Sequence, residues 1–174
     1  MPPTGTIATK LIVIRGNSGS GKSKIAQCIR EKWGSHGLAL VGQDMLRREI
    51  LKVGDDPANP AVGLIDLTAR YALDHGYHVI VEGILSSDNH SEMLKNLIAD
   101  HRGKSTCFYL DIPFEETLRR HVTKPQARKY GEESMCRWYR PLDLIPKLHE
   151  TIIPDTSSLE DSTARILPES GLVG

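Results

Sequence analysis

The chain predicts a three-layer α/β fold with a mostly parallel sheet, on three observations. Short apolar runs alternate with amphipathic helical patterns from end to end. The apolar runs are nearly continuous rather than alternating in polarity, as strands buried on both faces require. The first run, "LIVI" (Leu11 to Ile14), passes directly into "RGNSGSGKSK", where three glycines, three serines and two lysines share ten positions. Glycine at that density beside a strand implies that the backbone itself contacts something.

Five strands are expected: Lys10–Arg15, Leu38–Gly42, His78–Glu82, Thr106–Asp111 and Glu150–Ile153. Helical spacing links Ile25, Cys28, Ile29 and Trp33 after the glycine segment, and Leu94, Leu97, Ile98 and His101 in a stretch beginning near Asn89. "SSLE" (Ser157 to Glu160) has capping-box spacing and opens a last helix to about Leu167, with "PESGLVG" frayed beyond it. Two irregular connections remain, Val53 to Gly63 and His121 to Pro141.

At 174 residues the expectation is one domain. The composition, 39% hydrophobic and 25% charged, is that of an ordinary globular protein. Lysine plus arginine equals aspartate plus glutamate at 22 each, which argues against a dedicated nucleic-acid or membrane-surface binder. An aromatic content of 5% offers few rings on which to stack bases. Cys28, Cys107 and Cys136 show no paired spacing and read as thiols in a reducing compartment. "MPPTGTIATK" does not read as a secretory leader, and no apolar stretch approaches the about 18 residues that span a bilayer, so a cytoplasmic protein is expected. The seven histidines lack zinc-ligand spacing, and no Gly-x-Ser-x-Gly elbow occurs.

Gly16-Asn17-Ser18-Gly19-Ser20-Gly21-Lys22-Ser23 fits G-x-x-x-x-G-K-[ST] between an expected strand and an expected helix. In that setting successive N–H groups form an anion nest, and the helix N-terminus adds its positive dipole end. The motif implies ATP: Lys22 reaches the β- and γ-phosphates and Ser23 ligates Mg²⁺, with Lys24 adjoining. Chemistry in such sheets gathers beyond the strand C-termini. There the second strand carries Asp44, able to accept a proton from a substrate hydroxyl or to cap a helix, with Arg47 and Arg48 one turn on to clamp an anionic substrate. The third ends at Glu82-Gly83, a Walker B arrangement in which the carboxylate serves Mg²⁺ or substrate and the glycine admits close approach. Asp111, ending the fourth, reads as structural.

Arg119 to Arg140 holds seven lysines and arginines against two glutamates, a local excess in a neutral chain. It reads as a basic lid at about 119–140, with Arg120 and Lys124 four apart and facing the same phosphates. Trp138 and Tyr139 serve as lid anchors or substrate contacts.

The glycine motif, Asp44, Glu82 and "LDIPFEETLRRHVTK" together resemble the small P-loop kinases of the nucleoside-monophosphate-kinase-like group. That group includes gluconate and shikimate kinases, chloramphenicol phosphotransferase, zeta-toxin kinases and tunicamycin-resistance ATP-binding proteins. The resemblance covers about residues 10 to 167. It implies the P-loop NTPase fold as a five-stranded parallel sheet in order 2-3-1-4-5, helices on both faces, and Mg·ATP as donor. It implies that Asp44 orients or deprotonates the acceptor hydroxyl. Arg120 and Lys124 match the group's R-x-x-x-R pattern with lysine in the second place, and Arg128 offers a substitute guanidinium. Adenine is expected near Pro154 to Ser158, and the substrate side at about 44–64. The function implied is transfer of the γ-phosphoryl of ATP to a hydroxyl of a small acceptor, such as an antibiotic, sugar or nucleoside. The alternatives are a nucleoside or nucleotide kinase and, from another class, a regulatory ATPase acting on a protein partner. Nothing in the sequence chooses an oligomeric state.

Overall fold

A computed structural model describes residues 2–34 and 36–172. Five strands form one parallel sheet: β1 (Lys10–Gly16), β2 (Leu38–Gly42), β3 (His78–Gly83), β4 (Lys104–Asp111) and β5 (Glu150–Pro154), in the order β2-β3-β1-β4-β5. Because every pairing is parallel, the C-terminal ends of all strands lie along one edge.

The described residues form six α-helices: α1 (Lys22–Trp33), α2 (Pro60–Asp74), α3 (Ser87–Asp100), α4 (Phe114–His121), α5 (Glu132–Trp138) and α6 (Leu159–Ser170). β1 shows why its apolar run is unbroken. Leu11 and Val13 join the core shared with Ile65, Leu73, Leu94 and Leu97 of α2 and α3, while Ile12 and Ile14 join the core shared with Ile25, Ile29 and Ile166 of α1 and α6. Alternate side chains of a strand point to opposite faces, so a central strand needs both sets apolar.

The connections depart from expectation in four places. "MLRREIL" (Met45–Leu51) winds as a π-helix closed by Lys52 at positive φ. α2 begins inside the expected turn-rich segment, because the Asn59 side chain accepts the Ala61 N–H at 3.0 Å and Pro60 sits at the first helical position. Within 121–141 lie a 3₁₀ turn (Pro125–Arg128) and α5. α6 is capped one residue later than expected, Ser158 accepting from the Asp161 N–H at 3.0 Å, and Ser157 bonds Ser162 instead. Nor does the chain fray after Leu167. The helix passes through Pro168 to Ser170, Gly171 closes it at φ +82°, and Leu172 is buried in the core. Val173 and Gly174 lie outside the described residues.

Two histidines at the N-terminal ends of the strands give the fold a pH dependence. His101 contacts Thr9 Oγ1 through Nε2 at 3.0 Å and Ser105 Oγ through Nδ1 at 2.8 Å, and His78 Nδ1 accepts the Lys10 N–H at 3.0 Å. Burial first, and Lys10 second, push both imidazoles below the ordinary histidine value. An unfolded chain therefore takes up these protons near pH ~6.5 while the folded protein still resists them. Their contribution to stability is fully present above that pH and is lost as pH falls toward the lower folded values. Thermal unfolding between about pH 7.5 and 5.5 is expected to show a falling Tm, and the fall to flatten in the His78→Asn/His101→Gln double variant.

Candidate active site

The loop leaving β1 is built around two left-handed glycines, Gly19 at φ +80° and Gly21 at φ +95°. At Gly19 a Cβ would stand 2.6 Å from the Thr117 carbonyl oxygen, so no side chain fits. The loop turns on itself through Ser20 N–H to Asn17 O at 3.1 Å and then enters α1. Lys22 folds back over it and donates to Asn17 O at 3.1 Å. The Ser20 hydroxyl is buried without a hydrogen-bond partner. This loop, with its glycine curvature, buried cation and helix N-terminus, fits a triphosphate chain.

Beside it the third strand delivers Glu82, which is buried and accepts from Ser23 Oγ at 3.1 Å. Burial pushes the Glu82 carboxyl up, against the pull of Lys22 and Ser23. Burial also pushes Lys22 down, opposed by Glu82 and then Asp44. The charges thus sit in one small group, each partly holding the other ionised. Among the described residues no cluster of three or more His, Cys, Asp or Glu is arranged to hold a metal. Ser23 and Glu82 nonetheless supply the two hard oxygen donors that suit Mg²⁺, which takes its remaining ligands from phosphates and water.

Asp44 opens the π-helical segment with helical φ and ψ, and its side chain caps nothing. Two-thirds exposed, it lies 3.7 Å from Arg47 and 3.5 Å from Arg48. Gly83 needs its missing Cβ for a different reason from the expected one. The Gln43 side chain fills that space, within 2.5 Å of where the atom would be, and accepts the Leu85 N–H at 2.9 Å. Gly83 therefore offers no surface to a substrate. Gly42 pairs opposite Glu82, and a Cβ there would approach Glu82 Oε1 to 3.0 Å.

The basic segment divides around the loop. Arg120 donates to Ser20 O at 3.0 Å and is aimed by Glu116 at 2.7 Å. Arg119 and Arg120 together hold Glu116 down to about 2. Lys124, past the end of α4, is pushed down by burial, with Lys22, Arg120 and Lys24 adding to the effect. One cavity lies against the loop and a second lies farther along the same edge of the sheet. The first, of about 470 Å³, lies between Gly21 and Lys24, the cations Arg119, Arg120 and Lys124, and the stretch Pro154 to Ser158. The second, of about 730 Å³, lies beyond Arg47 and Arg48 and includes Trp138 and Arg140. Arg128 is not brought in: it is exposed on the 3₁₀ turn and lines neither cavity. The turn that ends α4 directs the chain elsewhere before residue 128, which helical spacing alone does not foresee. Tyr130 links the second cavity to the loop, its hydroxyl 3.2 Å from Ser18 Oγ. Tyr139 is an anchor, donating to Ile112 O at 2.9 Å, whereas Trp138 faces the cavity.

Arg15 is a residue that the sequence pattern does not single out. Fully buried at the end of β1, it donates to Leu85 O at 3.0 Å, Glu150 at 2.7 Å and Asp143 at 3.2 Å. Glu150 in turn accepts the Ile145 N–H, and Asp143 accepts the Ser87 N–H. An arginine interrupting an apolar strand is the signal that could have found it.

No protein-family model matches the chain, and no curated protein matches it. Solved structures do. The Mycobacterium tuberculosis APS kinase CysC, in complex with AMPPNP and APS, is 21% identical and superimposes with a TM-score of 0.68 over 96% of this chain and 98% of that one. The Deinococcus radiodurans tunicamycin resistance protein is 15% identical, with a TM-score of 0.65 over 95% and 98%. A gluconokinase from Sinorhizobium meliloti is 16% identical, with a TM-score of 0.63 over 99% and 97%. The fold is that of the small P-loop kinases, strand order included. No helix of the described residues is long and apolar enough to cross a membrane.

Proposed function

We propose that the chain is a single-domain cytoplasmic kinase that transfers the γ-phosphoryl of Mg·ATP to a hydroxyl of a small acceptor. One observation carries the reading: Lys22, the Ser23–Glu82 pair and Asp44 form one charged group beside a glycine loop, with one cavity against that loop and another beyond Arg47 and Arg48. Donor and acceptor need such an arrangement, in which each has its own pocket and the reacting groups meet at the boundary. The similar structure that holds AMPPNP and APS supports ATP as donor.

Adenine belongs in the first cavity, against Pro154 to Ser158, with Arg120 and Lys124 on the phosphates. Ser23 and Glu82 would hold Mg²⁺, which would supply positive charge to the phosphate oxygens. Lys22 stabilises the charge that develops on the transferring group, and Asp44 accepts the proton of the attacking hydroxyl. The basic segment, acting as a lid, excludes water.

The test is ADP release from Mg·ATP across nucleosides, nucleotides, sugars, sugar acids and antibiotics. One compound is expected to stimulate release strongly. With it, Asp44→Asn should lower kcat by about 10²–10⁴-fold while ATP affinity stays near wild type. Near-normal turnover in Asp44→Asn would remove the base assignment. Steady hydrolysis that no acceptor alters would favour a regulatory ATPase.

A further inference from the structure

We propose that Gln43 is a positioning residue for Asp44. Its side chain ties the start of the segment that carries the base to the segment leaving Glu82, and so sets where the base stands relative to that carboxylate. The proposal deepens the kinase reading and rests on it for the role of Asp44.

Asp44 depends on its neighbours because nothing grips its own side chain closely. It is two-thirds exposed, makes no capping bond, and meets Arg47 and Arg48 only at 3.7 and 3.5 Å. A catalytic group has to be held to within about 0.5 Å of its productive place, and a misplacement of about 1 Å can cost 10²-fold in rate. For Asp44 that hold comes through the backbone. Leu46, two residues on, is buried in the core, and Gln43, immediately before, is 2% exposed.

Gln43 continues the sheet by other means. The pairing of β2 with β3 ends at Gly42 opposite Glu82. One residue further the bond across is made by a side chain, Gln43 Oε1 accepting the Leu85 N–H at 2.9 Å. Gly83 makes the room, since a Cβ there would stand 2.5 Å from both Cβ and Oε1 of Gln43. From Asp44 to Glu82 the route therefore runs through this bond and the last ladder pair, with no loose chain between. A neutral amide suits the place: a carboxylate would accept the same N–H but add a third negative group beside Glu82 and Asp44.

Leu85 shows how firmly the far end is fixed. Its φ is +42°, a left-handed conformation that leucine rarely takes. Such residues persist where their surroundings over-determine them, and they gather at functional sites. Here every handle is taken. Gln43 receives the N–H, the carbonyl accepts from Arg15 Nε at 3.0 Å, and the side chain is fully buried. A glutamine that only satisfied a buried N–H would matter to folding and not to Asp44, and the experiment separates the two.

That experiment is a double-mutant cycle on the full chain, with the compound that stimulates ADP release as acceptor. Gln43→Met keeps the length of the side chain and loses its carbonyl; Gln43→Ala repeats the loss where the thioether does not fit. Either is expected to lower kcat about 10- to 100-fold. The KM for ATP and the calorimetric affinity for Mg·AMPPNP should stay within about 2-fold of wild type, which also shows that the variants fold. In an Asp44→Asn background the same substitution is expected to change kcat by less than about 2-fold, because the group that it places is gone. An equal loss in both backgrounds makes Gln43 structural and overturns the proposal, as does near-normal kcat in both variants. Hydrogen exchange at the Leu85 amide reads the contact without turnover. It should speed up about 10-fold or more in Gln43→Met, and unchanged exchange overturns the anchor. The kinase reading fails separately, when no compound stimulates the wild-type protein. That result removes the positioning role with it, and only the exchange result then stands.

Discussion

Lys22→Ala is expected to lower acceptor-dependent kcat/KM by about 10³-fold, more than the loss of either lid cation, Arg120 or Lys124. The reason is electrostatic. Lys22 is desolvated, lies against the loop carbonyl of Asn17, and has Glu82 as its principal counter-charge. A cation already stripped of water acts on a developing negative charge with little reorganisation, and an alanine leaves the loop to do this with N–H groups alone. Stability should move far less than activity, because the substitution also removes a buried charge whose ionised form burial disfavours. Steady-state kinetics together with a melting curve check this. A fall in Tm large enough to account for the lost turnover would reassign Lys22 to the scaffold.

Arg15→Leu is expected to cost about 3–5 kcal/mol of folding stability, lowering Tm by roughly 10 °C. The guanidinium is wholly enclosed and answers three groups at once: Leu85 O, Glu150 and Asp143. Deleting it leaves Glu150 buried with no cation, and an uncompensated buried carboxylate is what makes breaking such a pair costly. Urea unfolding measures the loss. Adding Glu150→Gln to Arg15→Leu should recover part of it, since the stranded charge goes too. A drop below about 1 kcal/mol would mean that the cluster contributes little.

Much of the architecture is legible in the sequence. Strands such as "LIVI" and "HVIV" are read within a residue or two because the middle of a central parallel strand is apolar on both faces. The glycine loop is legible for a local reason as well: positive φ at Gly19 and Gly21 is a property of consecutive residues. What escapes depends on chain segments far apart. Arg15 meets Asp143 and Glu150, 128 and 135 positions away, and no window spans that distance. Gln43 over Gly83 and Gly42 beside Glu82 become visible only once β2 and β3 are neighbours. Arg128 is offered as a guanidinium to stand in for Lys124, but α4 stops at His121 and the chain turns away before it. The last turn of α6 falls in "PESGLVG", which reads as a frayed end, whereas the helix runs through Pro168 to Ser170 and Leu172 is buried in the core.

Asn17 has a consequence of another kind. Its side-chain amide pairs with the Arg140 peptide in both directions, donating to the carbonyl at 2.8 Å and accepting from the N–H at 2.9 Å. One residue of the glycine loop is thus joined, as two strands are joined, to a residue lining the second cavity. A shift of the loop on filling would act on Arg140 through these bonds, and a ligand drawing on Arg140 would act on the loop. Thermodynamic linkage makes such an effect reciprocal: whatever factor the nucleotide contributes to acceptor affinity, the acceptor returns to the nucleotide. This pair of hydrogen bonds is thus a direct contact through which filling one cavity would bear on filling the other.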